Sequence, residues 1–125
     1  MIARRPVLAG LALALGSGPG KGMAMAEAPY GMIARITAQP GKRGELLAIL
    51  GGGTQGMPGC LAYVVSEDAR VPDAVWVTEY WDSKASHEAS LALPAVKDAI
   101  ARGRPLIAGF ESAAELRPVS GVPGQ

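Results

Sequence analysis

The stretch of the chain from 77 to 94, VTEYWDSKASHEASLALP, holds the residue types best suited to chemistry. It carries Glu79, Tyr80 and Trp81, followed by His87, which is the only histidine of the 125 residues. An imidazole can act as a base near neutral pH, and an indole offers a stacking surface and one N–H donor. The sequence therefore predicts a small-molecule site in which His87 is the base, Trp81 is a wall and Glu79 shapes the binding surface.

The elements around these residues would bring them together. A run of β-branched and aromatic residues predicts a strand at 74–81. Because strand side chains alternate between faces, Glu79 and Trp81 lie on the same face. Ser83 is a suitable N-cap for a helix that runs to about Leu91, and His87 on that helix can fold back over the strand. We expect the site to lie between this helix and the sheet.

Two further residues are candidates for substrate binding. Tyr63 can reach the site from the neighbouring strand, although packing in the core or in an interface is its alternative. Arg35, in the middle of the first strand, could neutralise Glu79 or bind an anionic substrate. The structural alternatives for the others are a surface position for His87, a core position for Trp81 and an ion pair across the sheet for Glu79.

The remaining pattern predicts an α+β domain. Strands are expected at 30–38, 60–66, 74–81 and 110–119, and helices at 42–50, 83–91 and 95–102. This order is the ferredoxin-like β-α-β-β-α-β arrangement with one antiparallel sheet. Neither face of the sheet is polar, and Trp76 would lie on the face away from the helices. Covering that face with a second copy would give a symmetric homodimer, and we expect the pocket to be complete only in this dimer.

The first 26 residues predict a secretory signal peptide. Arg4 and Arg5 precede a short apolar run at 7–15, and Ala24-Met25-Ala26 supplies an A-x-A cleavage site. The run RRPVL resembles a degenerate twin-arginine signal, with an ordinary Sec signal as the alternative. Both predict a periplasmic protein whose mature domain, 27–125, has no membrane segment.

Composition excludes several function classes. Without residues 1–26 the chain keeps 12 − 3 = 9 basic and 11 acidic residues, a net charge of −2, so nucleic acid is not an expected partner. Cys60 is the only cysteine, which rules out an internal disulfide. One histidine and one cysteine far apart do not form a metal site, and the triple glycine at 51–53 follows a helix, so no metal or nucleotide cofactor is predicted.

The stretch from 77 to 96, the run RPLIAG at 104–109, and the turns PGK at 40–42 and PGC at 58–60 together resemble the antibiotic biosynthesis monooxygenase family, especially its quinol monooxygenase type. The resemblance covers about residues 30–119. It implies a dimeric α+β barrel that oxygenates electron-rich aromatics such as quinols or anthrones, often without metal or flavin, while some relatives bind and degrade haem. Tyr80 departs from the pattern, in which an aliphatic residue is expected before Trp81.

These observations favour a cofactor-independent monooxygenase that acts on a quinol-like or polyphenolic aromatic small molecule with dioxygen. Removal of a hydroxyl proton by His87 would give an electron-rich anion able to pass an electron to dioxygen. The alternative is a non-enzymatic dimeric protein that binds a small molecule, or that binds haem through His87.

Overall fold

The computed structural model describes residues 28–52 and 56–124. The predicted signal peptide at 1–26 lies outside the described residues. The elements are listed here in chain order: β1 (Tyr30–Ala38), α1 (Arg43–Gly52), β2 (Cys60–Glu67), β3 (Ala74–Trp81), α2 (Lys84–Ser90), α3 (Pro94–Gly103), a 3₁₀ turn (Arg104–Leu106) and β4 (Ile107–Leu116). Within this part of the chain, no helix has the length and apolarity needed to cross a membrane.

The described strands form one antiparallel sheet in the order β2-β3-β1-β4. The central strands β1 and β3 are separated in sequence by α1 and β2, and α2 and α3 fill the second crossover. This is the order of the ferredoxin-like fold. The predicted α+β class and topology are therefore confirmed.

The helices cover one face of this sheet, and the core lies between the two layers. On β3 the side chains of Val75, Val77 and Trp81 are at most 4% exposed. Leu46 of α1 is fully buried in the same layer. The face of β3 that carries Glu79 and Trp81 is thus the face turned toward the helices, as the alternation predicts.

The opposite face of the sheet carries no helix of the described chain, and we call it the open face. Cross-strand pairs place its side chains in rows: Arg35 beside Trp76, and Ile33 and Val64 on either side of Thr78. Val64 is 51% exposed. The open face is therefore the surface that contains Trp76, as predicted.

The predicted fourth strand, 110–119, is wrong in its bounds. β4 begins at Ile107 and ends at Leu116, because it pairs with β1 from Ala38 opposite Ile107 to Gly31 opposite Leu116. Two register shifts along this pairing absorb the irregular start of the strand. Long-range pairing sets these ends, so Gly109 lies inside the strand and Pro118 beyond it.

Candidate active site

His87 is fixed by the short helix α2. Ser83 is the N-cap, as predicted, and its hydroxyl accepts a 3.1 Å hydrogen bond from the Ser86 backbone N–H. One turn later the Ser90 hydroxyl donates to the carbonyl oxygen of His87 at 2.6 Å. The residue His87 is only 4% exposed, so its ring is turned inward from the helix.

Beneath the helix, two cross-strand rows present side chains on the helix-facing side of the sheet. The first row is Tyr30, Trp81 and Cys60, and the second is Met32, Glu79 and Tyr63. Tyr30 and Trp81 belong to one buried cluster, against which Met32, Cys60, Tyr63 and Leu93 pack as partly buried neighbours.

The His87 ring lies between two aromatic side chains. Its centroid is 5.4 Å from the Trp81 ring in an edge-on arrangement and 5.4 Å from the tilted Tyr30 ring. Both distances fall in the range of favourable aromatic pairs. The aromatic pair therefore fixes the plane of the imidazole as well as its position.

Glu79 is the acidic group nearest to the imidazole described here. Its Oε1 accepts a 2.9 Å hydrogen bond from Trp81 Nε1 and lies 3.7 Å from Nε2 of His87. The Glu79 side chain is 15% exposed. Burial raises the pKa of this carboxyl, and the hydrogen bond from Trp81 offsets part of that rise.

Burial acts on His87 in the opposite sense. It lowers the pKa of the imidazole; the negative charge of Glu115 works against this shift, and the positive charge of Lys84 adds to it. The ring is therefore neutral at neutral pH and carries one N–H. A carboxylate next to Nε2 favours the proton on that nitrogen, which leaves Nδ1 with its lone pair.

None of the described residues gives Nδ1 of His87 a hydrogen bond, although the atom is buried. A buried polar atom without a partner is costly and rare in folded proteins. At a site that receives a ligand, the missing partner is supplied by the ligand. The arrangement is suited to taking a proton from a donor that approaches Nδ1.

Tyr30 takes part in a second set of polar contacts at the edge of the cluster. Its hydroxyl donates to Glu115 Oε2 at 3.0 Å, and Lys84 Nζ lies 3.2 Å from the same oxygen. The ammonium group of Lys84 also lies 5.6 Å from the centre of the Tyr30 ring. Burial and the acceptor Glu115 raise the pKa of Tyr30 well above its usual range, so this tyrosine stays protonated.

No group of three or more histidine, cysteine, aspartate or glutamate side chains in the described ranges is arranged to hold a metal ion. Cys60 lies in the first row, and its Sγ donates to the Ala62 carbonyl at 3.6 Å. Burial raises the pKa of this thiol, with a further rise from Glu79, so it remains a protonated thiol.

Comparison with known proteins bears on this site. The family model for antibiotic biosynthesis monooxygenases matches residues 29–102. A solved structure of a candidate antibiotic biosynthesis monooxygenase from Chloroflexus aurantiacus is 55% identical, with a TM-score of 0.74 over 75% of this chain and 96% of that chain. The chain belongs to the antibiotic biosynthesis monooxygenase family.

More distant structures share the fold of this family. A candidate antibiotic biosynthesis monooxygenase from Caulobacter crescentus is 23% identical, with a TM-score of 0.66 over 76% of this chain and 93% of that one. One from Deinococcus radiodurans is 25% identical, with a TM-score of 0.63 over 77% and 98%. No curated protein matches this chain.

In this member of the family, four of the five residues predicted for the site come together. Glu79, Trp81 and His87 are in mutual contact, and Tyr63 stands beside Glu79 in the next strand. Tyr63 also packs against both buried clusters, so it is a core residue with a partly exposed side chain.

Arg35 does not join the cluster, and its expected role in neutralising Glu79 is wrong. Its side chain lies on the open face, where it pairs with Glu111 and lies 3.9 Å from Asp68. The reason is strand parity: Arg35 stands opposite Trp76, whereas Met32 stands opposite Glu79. A sheet separates the guanidinium group from the imidazole.

The expectation that only a dimer completes the site stays a prediction. One chain supplies the whole cluster, on the helix side of the sheet. The open face lies on the other side. Tyr30 is a further member of the cluster that was not among the predicted site residues. Its even-numbered position, shared with the buried Ile36 and Ala38 on β1, is the signal that would have placed it there.

Proposed function

We propose that this family member is a cofactor-independent monooxygenase, which oxidises a quinol-like or polyphenolic aromatic small molecule with dioxygen. The observation that carries the proposal is Nδ1 of His87, a buried nitrogen that lacks a hydrogen-bond partner among the described residues. A neutral imidazole of this kind is a suitable general base for a phenolic hydroxyl.

In the proposed reaction His87 Nδ1 takes the hydroxyl proton, and the resulting phenolate passes one electron to dioxygen. Recombination of superoxide with the ring carbon radical gives a peroxide anion, which takes the proton back from His87, and loss of water from the resulting hydroperoxide leaves a carbonyl. For a hydroquinone the sum is QH₂ + O₂ → hydroxyquinone + H₂O, in which the substrate supplies all the electrons. Glu79, close to Nε2, stabilises the imidazolium that forms.

The aromatic substrate would stack near Trp81. Around this indole the partly buried side chains of Met32, Cys60, Tyr63 and Leu93 form an apolar rim. Because Nδ1 is itself buried, the substrate must displace neighbouring side chains to reach it. Catalytic hydrogen bonds that form only in the substrate complex are common, so a closed resting site is compatible with this role.

Oxygen uptake with a panel of quinols and phenols tests the proposal. His87→Phe keeps a ring between Tyr30 and Trp81 but removes the base, and we expect uptake to fall by about 10²–10⁴-fold. Asp98→Asn, on the exposed side of α3, is the control and should retain full uptake. With ¹⁸O₂, one labelled atom should enter the product and water should form without hydrogen peroxide; spontaneous oxidation of the quinol gives peroxide instead.

The same experiment separates the alternatives. Saturable quinol binding without oxygen uptake in the unmodified protein would identify a binding module and overturn the enzymatic proposal. A Soret band on adding haemin, lost in His87→Phe, would identify His87 as a haem ligand. Unchanged uptake in His87→Phe would remove this residue from the mechanism.

We also propose that the protein is a homodimer in which the open faces of the two copies form the interface. Val64 is 51% exposed there, and Trp76, Thr78 and Tyr80 are only partly buried. The open face carries Ile33, Val64 and Trp76 alongside Arg35 and Thr78, so it is more apolar than a sheet face in contact with water normally is. Sedimentation equilibrium of the processed chain should give a dimer, and a monomer at micromolar concentration would refute this.

Export to the periplasm remains part of the proposal. The expected mature N-terminus is Glu27, which mass spectrometry of the periplasmic fraction can identify. If the route is twin-arginine, Arg4→Lys with Arg5→Lys should leave the precursor in the cytoplasm. Full export of this double variant would favour the Sec route, and an uncleaved cytoplasmic protein would reject export.

A further inference from the structure

Three elements meet at one carboxylate oxygen beside the candidate base. Glu115 of β4 accepts the Tyr30 hydroxyl of β1 at Oε2, and Lys84 of α2 reaches the same atom. Lys84 also lies over the Tyr30 ring. Glu115 lies beyond residues 29–102, so this contact joins the family-matched part of the chain to the strand that follows it.

The contacts at Glu115 Oε2 help to fix where His87 lies. Lys84 precedes His87 by one turn of α2, and the ring of Tyr30 lies 5.4 Å from the imidazole. We call the hydrogen bond from Tyr30 to Glu115 and the ion pair of Lys84 with Glu115 the tether. The tether holds both α2, which carries His87, and the Tyr30 ring, against which the imidazole packs. Tyr30 is 7% exposed, so its ring has few other positions available.

The same contact places charge near the base. Charged or titratable groups act on His87 or contact it from each neighbouring element: Glu79 on β3, Tyr30 on β1, Lys84 on α2 and Glu115 on β4. Burial raises the pKa of the Glu88 carboxyl, and the charges of Lys84 and Glu115 also act on it. The charge of Glu88 in turn acts on Tyr30. After the effect of burial, Glu115 raises the pKa of His87 and Lys84 lowers it. An ionised Glu79, 3.7 Å from Nε2, would raise it as well.

We propose that Glu115 and Lys84 are positioning residues of this site, which hold Tyr30 against His87 and set one charge of each sign within electrostatic reach of the imidazole. The inference deepens the proposed function and rests on it for its catalytic meaning. The effect of these residues on the His87 imidazole can be measured without enzymatic turnover, because His87 is the only histidine of the chain.

The test is an NMR titration of the imidazole C–H signals in the processed chain, prepared without a histidine tag. Glu115→Gln keeps an acceptor for Tyr30 and removes a negative charge, so the His87 midpoint should move to lower pH. Lys84→Met removes a positive charge, so the midpoint should move to higher pH. The double variant loses one charge of each sign, so its midpoint should lie between those of the two single variants.

Matched controls remove the same charges elsewhere. Asp98→Asn and Lys42→Met break exposed pairs within or beside helices and should leave the midpoint in place. Tyr30→Phe tests the positional part: loss of the tether should move the His87 C–H signals, which the nearby ring shifts through its ring current. The side chains of Lys84 and Glu115 are 35% and 51% exposed, so their variants are expected to fold.

Opposite midpoint shifts that exceed those of the controls support the inference. Shifts in the same direction, or none beyond the controls, overturn the role of the charges, and unchanged C–H signals in Tyr30→Phe overturn the tether. If the unmodified protein consumes no oxygen with any quinol but the shifts are opposite, the proposed function fails while the coupling stands. The acid limb of the rate profile, where activity exists, should follow the NMR midpoints.

Discussion

Glu79 Oε1 lies 3.7 Å from Nε2 of His87, and the two side chains are 15% and 5% exposed. Both groups prefer to be uncharged in this setting, since burial raises the pKa of the acid and lowers the pKa of the base. The site therefore stores an unfavourable charge whenever Glu79 is ionised. This cost lowers the free energy of unfolding, so the pH dependence of that free energy reports on the environment of Glu79.

The first prediction concerns Glu79→Gln. A carboxyl whose pKa is raised on folding stabilises the protein below its ordinary value of 4.5, and the contribution is lost as pH rises through the folded pKa. Glutamine keeps an acceptor for Trp81 and does not titrate. Relative to the unmodified protein, the variant should gain free energy of unfolding as pH rises from about 4 to 7.

Urea unfolding at several pH values and one fixed protein concentration measures this difference. Glu79→Gln also removes a charge 3.7 Å from Nε2 of His87, so the loss of stability that His87 causes on acidification below 6.5 is at least as large in the variant and adds to the predicted difference. A difference that stays constant with pH would mean that burial does not perturb Glu79.

The second prediction concerns Gly59, which precedes β2 with φ of +82°. An added Cβ would lie 2.5 Å from Ser86 Oγ and 2.9 Å from Asp82 Oδ1, at the start of the helix that carries His87. Gly59→Ala should therefore lose roughly 1–3 kcal/mol of unfolding free energy and should also move the His87 NMR signals.

Gly121→Ala is the matched control. Gly121 has φ of +88° but no atom within 4 Å of its added Cβ, so its variant isolates the backbone strain, at most about 1–2 kcal/mol. Equal losses in the two variants, with His87 signals unmoved, would show that contact between Gly59 and α2 has no part in placing the base.

The third prediction concerns Asp68 in the β2–β3 loop. A hydrogen bond from Trp76 Nε1, with two further bonds from the backbone N–H groups of Arg70 and Val71, holds the pKa of this acid at about 2. A lowered carboxyl pKa gives stability above the ordinary value of 3.8, which is lost as pH falls through about 2.

Asp68→Asn should therefore be less stable than the unmodified protein at pH 5, with a difference that shrinks as pH falls from about 4 to 2. Thermal unfolding followed by circular dichroism across this range measures it. Asp98→Asn should leave the acid loss as steep as in the unmodified protein. A difference independent of pH would assign the effect of Asp68 to packing.

Local patterns predicted much of this fold. The β-compatible composition of β1 and β3 and their flanking turn residues gave the bounds to the residue, and Ser83 marked the start of α2. These features depend on neighbours in sequence. The ends of β4 do not, because its pairing with Ala38 and Gly31 of β1 decides them.

The candidate site divides in the same way. Glu79, Trp81 and His87 lie close in sequence, and strand parity with one capped helix brings them together. Tyr30 and Glu115 are 85 residues apart, and their contact exists only because β4 pairs with β1. The expected contact of Arg35 with Glu79 was wrong because the register decides the face of Arg35. Its pairing with Trp76 puts it on the open face.

The fourth prediction concerns Gly31 and Tyr80, which stand opposite each other on β1 and β3. Tyr80 lies over the glycine, and an added Cβ would come within 2.7 Å of its Cε1 atom. Aromatic cover of a strand glycine is a known way to fill the gap that glycine leaves. Gly31→Ala should therefore push the Tyr80 ring off the open face and weaken the proposed homodimer.

Sedimentation equilibrium over a dilution series should show a dissociation constant at least about tenfold higher for Gly31→Ala, which is about 1.4 kcal/mol. Tyr80→Val in the same chain removes the clash and should restore dimerisation, because a smaller aliphatic residue leaves room for the added methyl group. An unmodified dimerisation constant in Gly31→Ala would place the interface away from Tyr80. If the double variant folds but does not dimerise, valine has relieved the clash and the interface is still incomplete. The Tyr80 ring itself would then supply the contact with the second copy.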